Sequence, residues 1–381
     1  MLDPVASAYL HIPFCSHKCD FCDFAAFAGL DHLEDEYFEV LQEEIRERLA
    51  RVESPVRLRT IYFGGGTPGL VSPASIDSAI KTLTGLVEVE PNPEVTLETT
   101  PHAITRDRVS AWRASGVNRL SIGIESLLDE ELQAIGRDHT VQQALAGIDL
   151  ACRGDFTCLS LDFMYGLPTQ TLSSWEKTLA RALEIIARNP SIKHVSAYGL
   201  SLAANSPLYS RFPRDSEAYP DESAFVDMLD LLIDRLVGSG FEHYEVSSFA
   251  RPGSASLHNS TYWKNGSYLA FGVGAHRYVD GYRSANFRSL KRYMKAPTED
   301  EVSEFIDPET RVKEALMLGL RMRRGIDLDD FEERYGIDLY NLHREKLDRL
   351  QDGGFVRLAE GRLFLTQKGV CVSNSVIVEF M

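Results

Sequence analysis

Three cysteines fall within eight positions near the start of the chain, Cys15, Cys19 and Cys22, in the run YLHIPFCSHKCDFC. The Cys-x3-Cys-x2-Cys spacing lets three thiolates converge on one soft metal centre, which selects an iron–sulfur cluster or zinc over hard cations. Ligand count separates the two. A structural zinc wants four closed ligands, and His11 or His17 stands near enough in sequence to supply the fourth; a four-iron cluster on three thiolates leaves one iron open to a small molecule. The other three cysteines, Cys152, Cys158 and Cys371, sit in apolar surroundings and read as core. Six cysteines in 381 residues are too few for a disulfide scaffold.

A second group of residues suits a charged ligand. In IYFGGGTP, Gly64, Gly65 and Gly66 permit close backbone approach, Thr67 follows, and Pro68 stiffens the exit. A turn that simply needs glycine is the plain alternative. Farther along stand Glu98 in EVTLETTP, Glu125 in SIGIES, Arg137 in AIGRDH and Asp162 in LSLDFMYGLP. Taken singly, each reads as a solvated or salt-bridged residue. Together they form a set of carboxylates and one guanidinium that suits a zwitterion carrying hydroxyls and positive charge.

These residues need elements to hold them. Short β-branched runs at Tyr9–Ile12, Arg59–Phe63, Glu94–Glu98, Arg119–Ile124, Cys158–Met164 and His194–Gly199 alternate with helical patterns at Leu33–Arg51, Ser75–Val87, Arg106–Ser115, Val141–Arg153 and Leu172–Arg188. The repeat implies a parallel sheet, open or barrel-like, and every polar group above falls at or beyond a strand's carboxyl end, where such folds place their sites. Ser206–Pro220 reads as a linker and Asp221–Ser239 as a helix. The segment from Phe241 to Phe287 turns glycine- and aromatic-rich, suggesting a small β-rich element packed on the first core. The tail returns to helix at Thr310–Arg323, Leu328–Tyr335 and Leu339–Asp352. It then reads FVRLAEGRLFLT, a hairpin with Glu360-Gly361 at its turn. The expected fold is α/β: a partial (β/α)6 TIM-like barrel over 1–205, a linker, helix and β-rich element over 206–300, and a winged-helix-like module over 301–381.

Cys15, Cys19 and Cys22, with Phe21 before the last, resemble the signature of the radical S-adenosylmethionine (SAM) superfamily. That resemblance implies a [4Fe-4S] cluster whose open iron holds SAM, and an electron donor that reduces the cluster so that it can cleave the sulfonium to a 5′-deoxyadenosyl radical. It also implies that Tyr9, Gly65, Gly66, Thr67, Glu98, Glu125, Arg137 and Asp162 lie along the SAM site, in the order found in the oxygen-independent coproporphyrinogen III oxidase branch. Position 125 is commonly glutamine there and is Glu125 here. The oxidase has a fourth cysteine two residues after the third, where this chain has Phe24. His258-Asn259-Ser260-Thr261-Tyr262-Trp263 is similar to the His-Asn-x-x-Tyr-Trp motif of the HemW heme chaperone family, and Gly272–His276 follows it. This resemblance implies heme as a further ligand, with His258 as its axial residue and Tyr262 and Trp263 offering flat faces. Where the family commonly has Glu-Pro-Gly-Thr after the sixth strand, this chain reads SLAANSPLY, so contacts of that loop are not carried over.

The resemblance thus implies a heme chaperone that passes heme to an acceptor protein. The alternatives are an oxidase acting on coproporphyrinogen III propionates and a redox regulator. A net charge of −16, from 40 basic and 56 acidic residues, repels phosphate backbones and anionic lipids, and the tail carries no basic excess suited to DNA. No apolar stretch approaches the ~18 residues that span a bilayer, and the N-terminus carries Asp3 where a signal peptide needs positive charge. The expected location is cytoplasmic.

Overall fold

A computed structural model describes residues 4–381. Six parallel strands form its centre: β1 (Val5–Ile12), β2 (Val56–Gly65), β3 (Glu88–Thr99), β4 (Arg119–Glu125), β5 (Cys158–Tyr165) and β6 (Ile192–Gly199). Each pairs with the next in chain order. The intervening helices α1 (Glu34–Leu49), α2 (Pro73–Thr84), α3 (Arg106–Ala114), α4 (Val141–Cys152) and α5 (Leu172–Arg188) match the expected segments to within three residues at each end.

Strands covered on both faces should be almost continuously apolar. In β5, CLSLDFMY, every residue is buried except half-buried Asp162. The helices begin where side chains can take up their free N–H groups: Thr140 and Gln143 form a reciprocal cap on α4, and Thr171 and Ser174 do so on α5. The expected helix after the linker is α6 (Glu222–Gly238), capped by Asp221. It is tied to α5 by the Trp175 indole N–H, which donates to the Met228 carbonyl at 3.0 Å.

The β-rich segment continues this same sheet. Strands β7 (Glu242–Glu245) and β8 (Ser248–Ala250) add antiparallel beyond β6. On the other flank β9 (Tyr268–Phe271) lies parallel to β1, followed by an antiparallel meander of β10 (His276–Val279), β11 (Tyr282–Asn286) and β12 (Asp300–Phe305). The order of the twelve strands is β12-β11-β10-β9-β1-β2-β3-β4-β5-β6-β8-β7, so the sheet curls without closing. The tail carries α7 (Pro308–Gly319), α8 (Leu328–Tyr335) and a three-stranded sheet. The expected hairpin is present as Val356–Ala359 and Arg362–Leu365, with Glu360 and Gly361 both at positive φ, as its two-residue turn requires. The expected helix Leu339–Asp352 is two helices, Leu339–Leu342 and Arg344–Asp352, broken at His343. No described helix is long and apolar enough to cross a membrane.

One buried cluster fastens the extension to the core. Glu44 on α1 is fully buried and accepts hydrogen bonds from Arg48 (2.7 Å), Asn286 (2.6 Å), the Tyr293 hydroxyl (2.8 Å) and the Gly272 amide (2.8 Å). Removing the carboxylate leaves the buried Gly272 amide without its acceptor and takes one of the two carboxylate partners of Arg48, Asp300 at 2.9 Å remaining. Glu44→Ala is therefore expected to cost about 1–3 kcal/mol, read as a lower denaturation midpoint at unchanged secondary structure.

Candidate metal and cofactor centre

The site is assembled at the carboxyl ends of β1 to β6. β1 and β2 are in register to Ile12 and Gly65, and pairing persists past the strands: the Gly66 amide donates to the Ile12 carbonyl and the Thr67 amide to the Phe14 carbonyl, both at 2.8 Å. The two loops approach so closely that a Cβ on Gly66 would lie 2.7 Å from the Pro13 carbonyl carbon, while Gly65 adopts φ +114° against the His11 ring. The cysteine loop is fastened elsewhere as well. The Asp20 amide donates to the Ile135 carbonyl, the Asp20 carbonyl accepts from the Leu208 amide, and the Asp20 carboxylate pairs with Arg211 at 2.9 Å.

A cavity of about 580 Å³ opens above these ends. Of the expected residues, Cys15, Cys19, Phe21, Cys22, Gly65, Gly66, Thr67, Glu98, Glu125, Arg137 and Asp162 line it. Tyr9 lies beneath, its ring 6.0 Å from Tyr62 and its hydroxyl 3.2 Å from His11 Nδ1.

The thiols present a three-ligand set. His11 is committed to Tyr9 and, through Nε2, to the Ala25 carbonyl at 3.0 Å, and His17 is exposed. The three sulfurs do not all lie within 4.8 Å of one another. Zinc–sulfur bonds of about 2.3 Å would draw them closer than that. Burial pushes the Cys15 thiol up to about 11 and raises that of Cys19, so without a cation both sulfurs stay protonated. Arg137 donates to Cys19 Sγ at 3.2 Å, and Thr67 Oγ1 stands 3.6 Å from Cys15 Sγ. Three separated thiols beside a roomy cavity fit a cluster held at three corners and open at the fourth.

The rest of the lining is acidic. Burial pushes Glu98 up to about 7, against the hydrogen bonds it accepts from Tyr62 (2.7 Å) and the Gly65 amide (3.1 Å). Burial likewise takes Glu125 to about 7, opposed by Arg137 at 3.7 Å. Glu125 has φ 62° at an irregularity in the β4–β5 pairing, which turns its carboxylate toward Arg137. Asp162 is raised by burial and held by the hydroxyls of Ser121 (2.5 Å) and Ser160 (2.8 Å). Three largely buried carboxylates, with the Arg137 guanidinium beside Glu125, favour a ligand that brings positive charge to the acids and a carboxylate to Arg137. Sequence reasoning missed Tyr62, Ser121, Ser160 and Tyr198. Tyr62 stood two residues before the glycines and Ser160 two residues before Asp162 on the same strand, both readable signals; Ser121 orients Asp162 from the neighbouring strand, which no local pattern reveals.

His258 is elsewhere. The motif forms a short helix, Leu257–Trp263, plugging the amino-terminal end of the barrel and capped by Glu94, which accepts from the His258 and Leu257 amides. The His258 side chain is 1 % exposed, with Nδ1 2.8 Å from Thr60 Oγ1, Nε2 2.8 Å from the Tyr262 hydroxyl, and its ring stacked on Tyr62 at 4.8 Å. Burial lowers its pKa to about 3, so it is neutral. The expected axial ligand is, in this conformation, a fully bonded interior histidine.

A family model of the radical SAM superfamily matches residues 9–182, and one of the HemN C-terminal domain matches residues 306–372. The heme chaperone HemW of Lactococcus lactis is 32 % identical, the alignment covering 100 % of this chain and 98 % of that protein; HemW of Escherichia coli is 34 % identical, with 99 % and 98 % covered. This chain belongs to the HemW family of radical SAM proteins. Among solved structures, the Escherichia coli coproporphyrinogen III oxidase HemN superposes with a TM-score of 0.84 over 100 % of this chain and 90 % of that one, at 22 % identity, a likeness of fold. The family carries a [4Fe-4S] cluster and SAM, and the cavity just described has the ligands and the room for both.

Two outcomes follow. Gly66→Ala forces the cysteine loop off the glycine loop and is expected to abolish cluster loading, measured as iron and sulfide after anaerobic reconstitution. Glu98, protonated below about pH 7, faces a cationic ligand better as it ionises. SAM affinity is therefore expected to rise several-fold from pH 6 to pH 8 by calorimetry, with a flatter profile in Glu98→Gln.

Proposed function

We propose that this chain is a cytoplasmic heme chaperone: it binds heme and passes it to an acceptor protein, while Cys15, Cys19 and Cys22 hold a [4Fe-4S] cluster and the adjoining cavity holds SAM. The observation carrying this reading is likeness to HemW proteins along the whole chain, at both ends of each alignment. Phe24, 67 % exposed at the cavity rim, occupies the place where the oxidase branch has its further cysteine. When bound, the cluster supplies an electron to the SAM sulfonium. Arg137 receives the SAM carboxylate, Glu98 and Asp162 meet its cationic and hydroxyl groups, and the Gly65–Thr67 backbone meets its amino group. The outer part of the cysteine loop, with exposed His17 and Lys18, is where an electron donor would dock.

Heme needs an apolar surface and cations for two propionates. The outward face of the Leu257–Trp263 helix borders a groove of about 500 Å³ at the base of the barrel, lined by Leu257, Met322, Arg59, Lys264 and Arg324. Leu257 is 45 % exposed there. Partial burial and then the neighbouring Arg324 and Arg59 hold Lys264 below the usual lysine range; Arg59 is paired with Glu90 at 3.4 Å, and Glu242 is the acid among the groove's lining. In a chain of net charge −16 this groove is the natural seat for the propionates. Ligation of the iron by His258, which the motif implies, requires its ring to leave Thr60 or the Tyr262 hydroxyl of its own helix.

Hemin titration of the full chain, followed by its Soret band, tests the reading. Saturable binding is expected, weakened at least tenfold in Lys264→Glu/Arg324→Glu, while His258→Ala chiefly lowers the melting temperature. Loss of the Soret shift in His258→Ala alone would instead place the iron on that residue. Anaerobically reconstituted protein that converts coproporphyrinogen III to protoporphyrinogen with SAM and reductant, and binds no hemin, would overturn the chaperone assignment.

A further inference from the structure

Beside the cluster loop lies a second set of metal-ligating side chains that shares no residue with the three cysteines. His102 stands on the turn after β3, and Asp138 and His139 stand on the loop before α4. One ligand atom from each of the three falls within 4.8 Å of the other two. His102 Nδ1 and Asp138 Oδ1 are 3.6 Å apart, too long for a hydrogen bond. Asp138 also lines the SAM cavity, so the set sits on its rim.

The surroundings are those of a ligand shell without its ion. His139 is 4 % exposed, and neither ring nitrogen completes a hydrogen bond of good geometry; His102 Nδ1 is likewise buried and unpaired. A buried donor or acceptor left unsatisfied is costly, and one nitrogen from each of two imidazoles converging on one carboxylate without a hydrogen bond is unusual unless something sits between them. The other sides of the same groups are supported. The Ile124 carbonyl stands beside His139, where it can take the N–H of one ring nitrogen and leave the other's lone pair free. Ser16 Oγ donates to Asp138 Oδ2 at 2.6 Å, and His102 Nε2 lies 3.4 Å from both Ser16 Oγ and Thr100 Oγ1. Outer partners that orient each ligand in this way characterise histidine–carboxylate metal sites.

We propose that His102, Asp138 and His139 bind one divalent transition-metal ion of the zinc class. Two imidazoles and one carboxylate are the donors such ions prefer, and hard magnesium or calcium would want more oxygen. Three protein ligands leave at least one position for water. The bound ion ties together the turn after β3, the loop that carries Arg137 and, through Ser16, the loop that carries Cys15. It also adds positive charge beside a cavity rich in buried carboxylates.

The test uses the full-length chain with Cys15→Ser, Cys19→Ser and Cys22→Ser, so that the cluster thiols cannot compete. The metal-stripped protein is titrated with cobalt(II), read by visible d–d absorbance, and with zinc in competition with a chromophoric chelator. One equivalent of each is expected, with no thiolate charge-transfer band. Affinity should fall at least about tenfold in His139→Ala and in Asp138→Asn. Should the thiol-free background not fold, as judged by circular dichroism, elemental analysis of the reconstituted holoprotein serves instead. One zinc per chain beyond the cluster iron is expected, and His102→Ala, on a partly exposed turn, should lose it. Absence of binding, or equal binding in all variants, would overturn the proposal.

Discussion

The structure depends on how closely β1 and β2 run side by side past their ends. Side chains at this point would hold the two loops apart, since a Cβ on Gly66 would run into the Pro13 and Phe14 backbone. Here the glycine run removes those side chains, and two backbone hydrogen bonds carry the pairing on through Gly66 and Thr67. That contact sets where Cys15 begins its loop, and therefore where all three sulfurs can face. The glycines act first as a clearance between two backbones, and only then as a surface for a ligand.

Much of this was readable from residue order. Parallel strands buried on both faces announce themselves as apolar runs, and the six of the barrel stand where their patterns put them. So do the cysteine loop and the strand-end residues from Gly65 to Asp162. Less readable was whatever depends on contact between distant segments. The β-rich stretch looked like a unit packed on the first core; β9 in fact hydrogen-bonds to β1, and nothing local to Tyr268–Phe271 specifies that neighbour. The helix break at His343 was hidden because the apolar spacing runs on through it. His258 is the clearest lesson. A histidine beside tyrosine and tryptophan reads by itself as a hydrogen-bonded structural residue, as its stack on Tyr62 shows it to be in this conformation; the ligand role comes from the resemblance of the motif alone.

The electrostatics of the cavity have one theme. Glu98, Glu125 and Asp162 are each largely removed from water and raised in pKa; Arg137 opposes the shift at Glu125, Arg119 opposes it at Asp162, and hydrogen bonds oppose it at Glu98. A protein tolerates such groups when hydroxyls and amides satisfy them, as Tyr62, Ser121, Ser160 and the Gly65 amide do. It gains most from them when a cation arrives. The acids are thus pre-positioned for a positively charged ligand and do little for the fold without one.

The stacked rings of Tyr9, Tyr62 and His258 stand between the upper cavity and the basal groove, which have no lining residue in common. A chamber floored in this way offers no passage through the barrel to the groove below, so the two ends of the molecule can be filled independently.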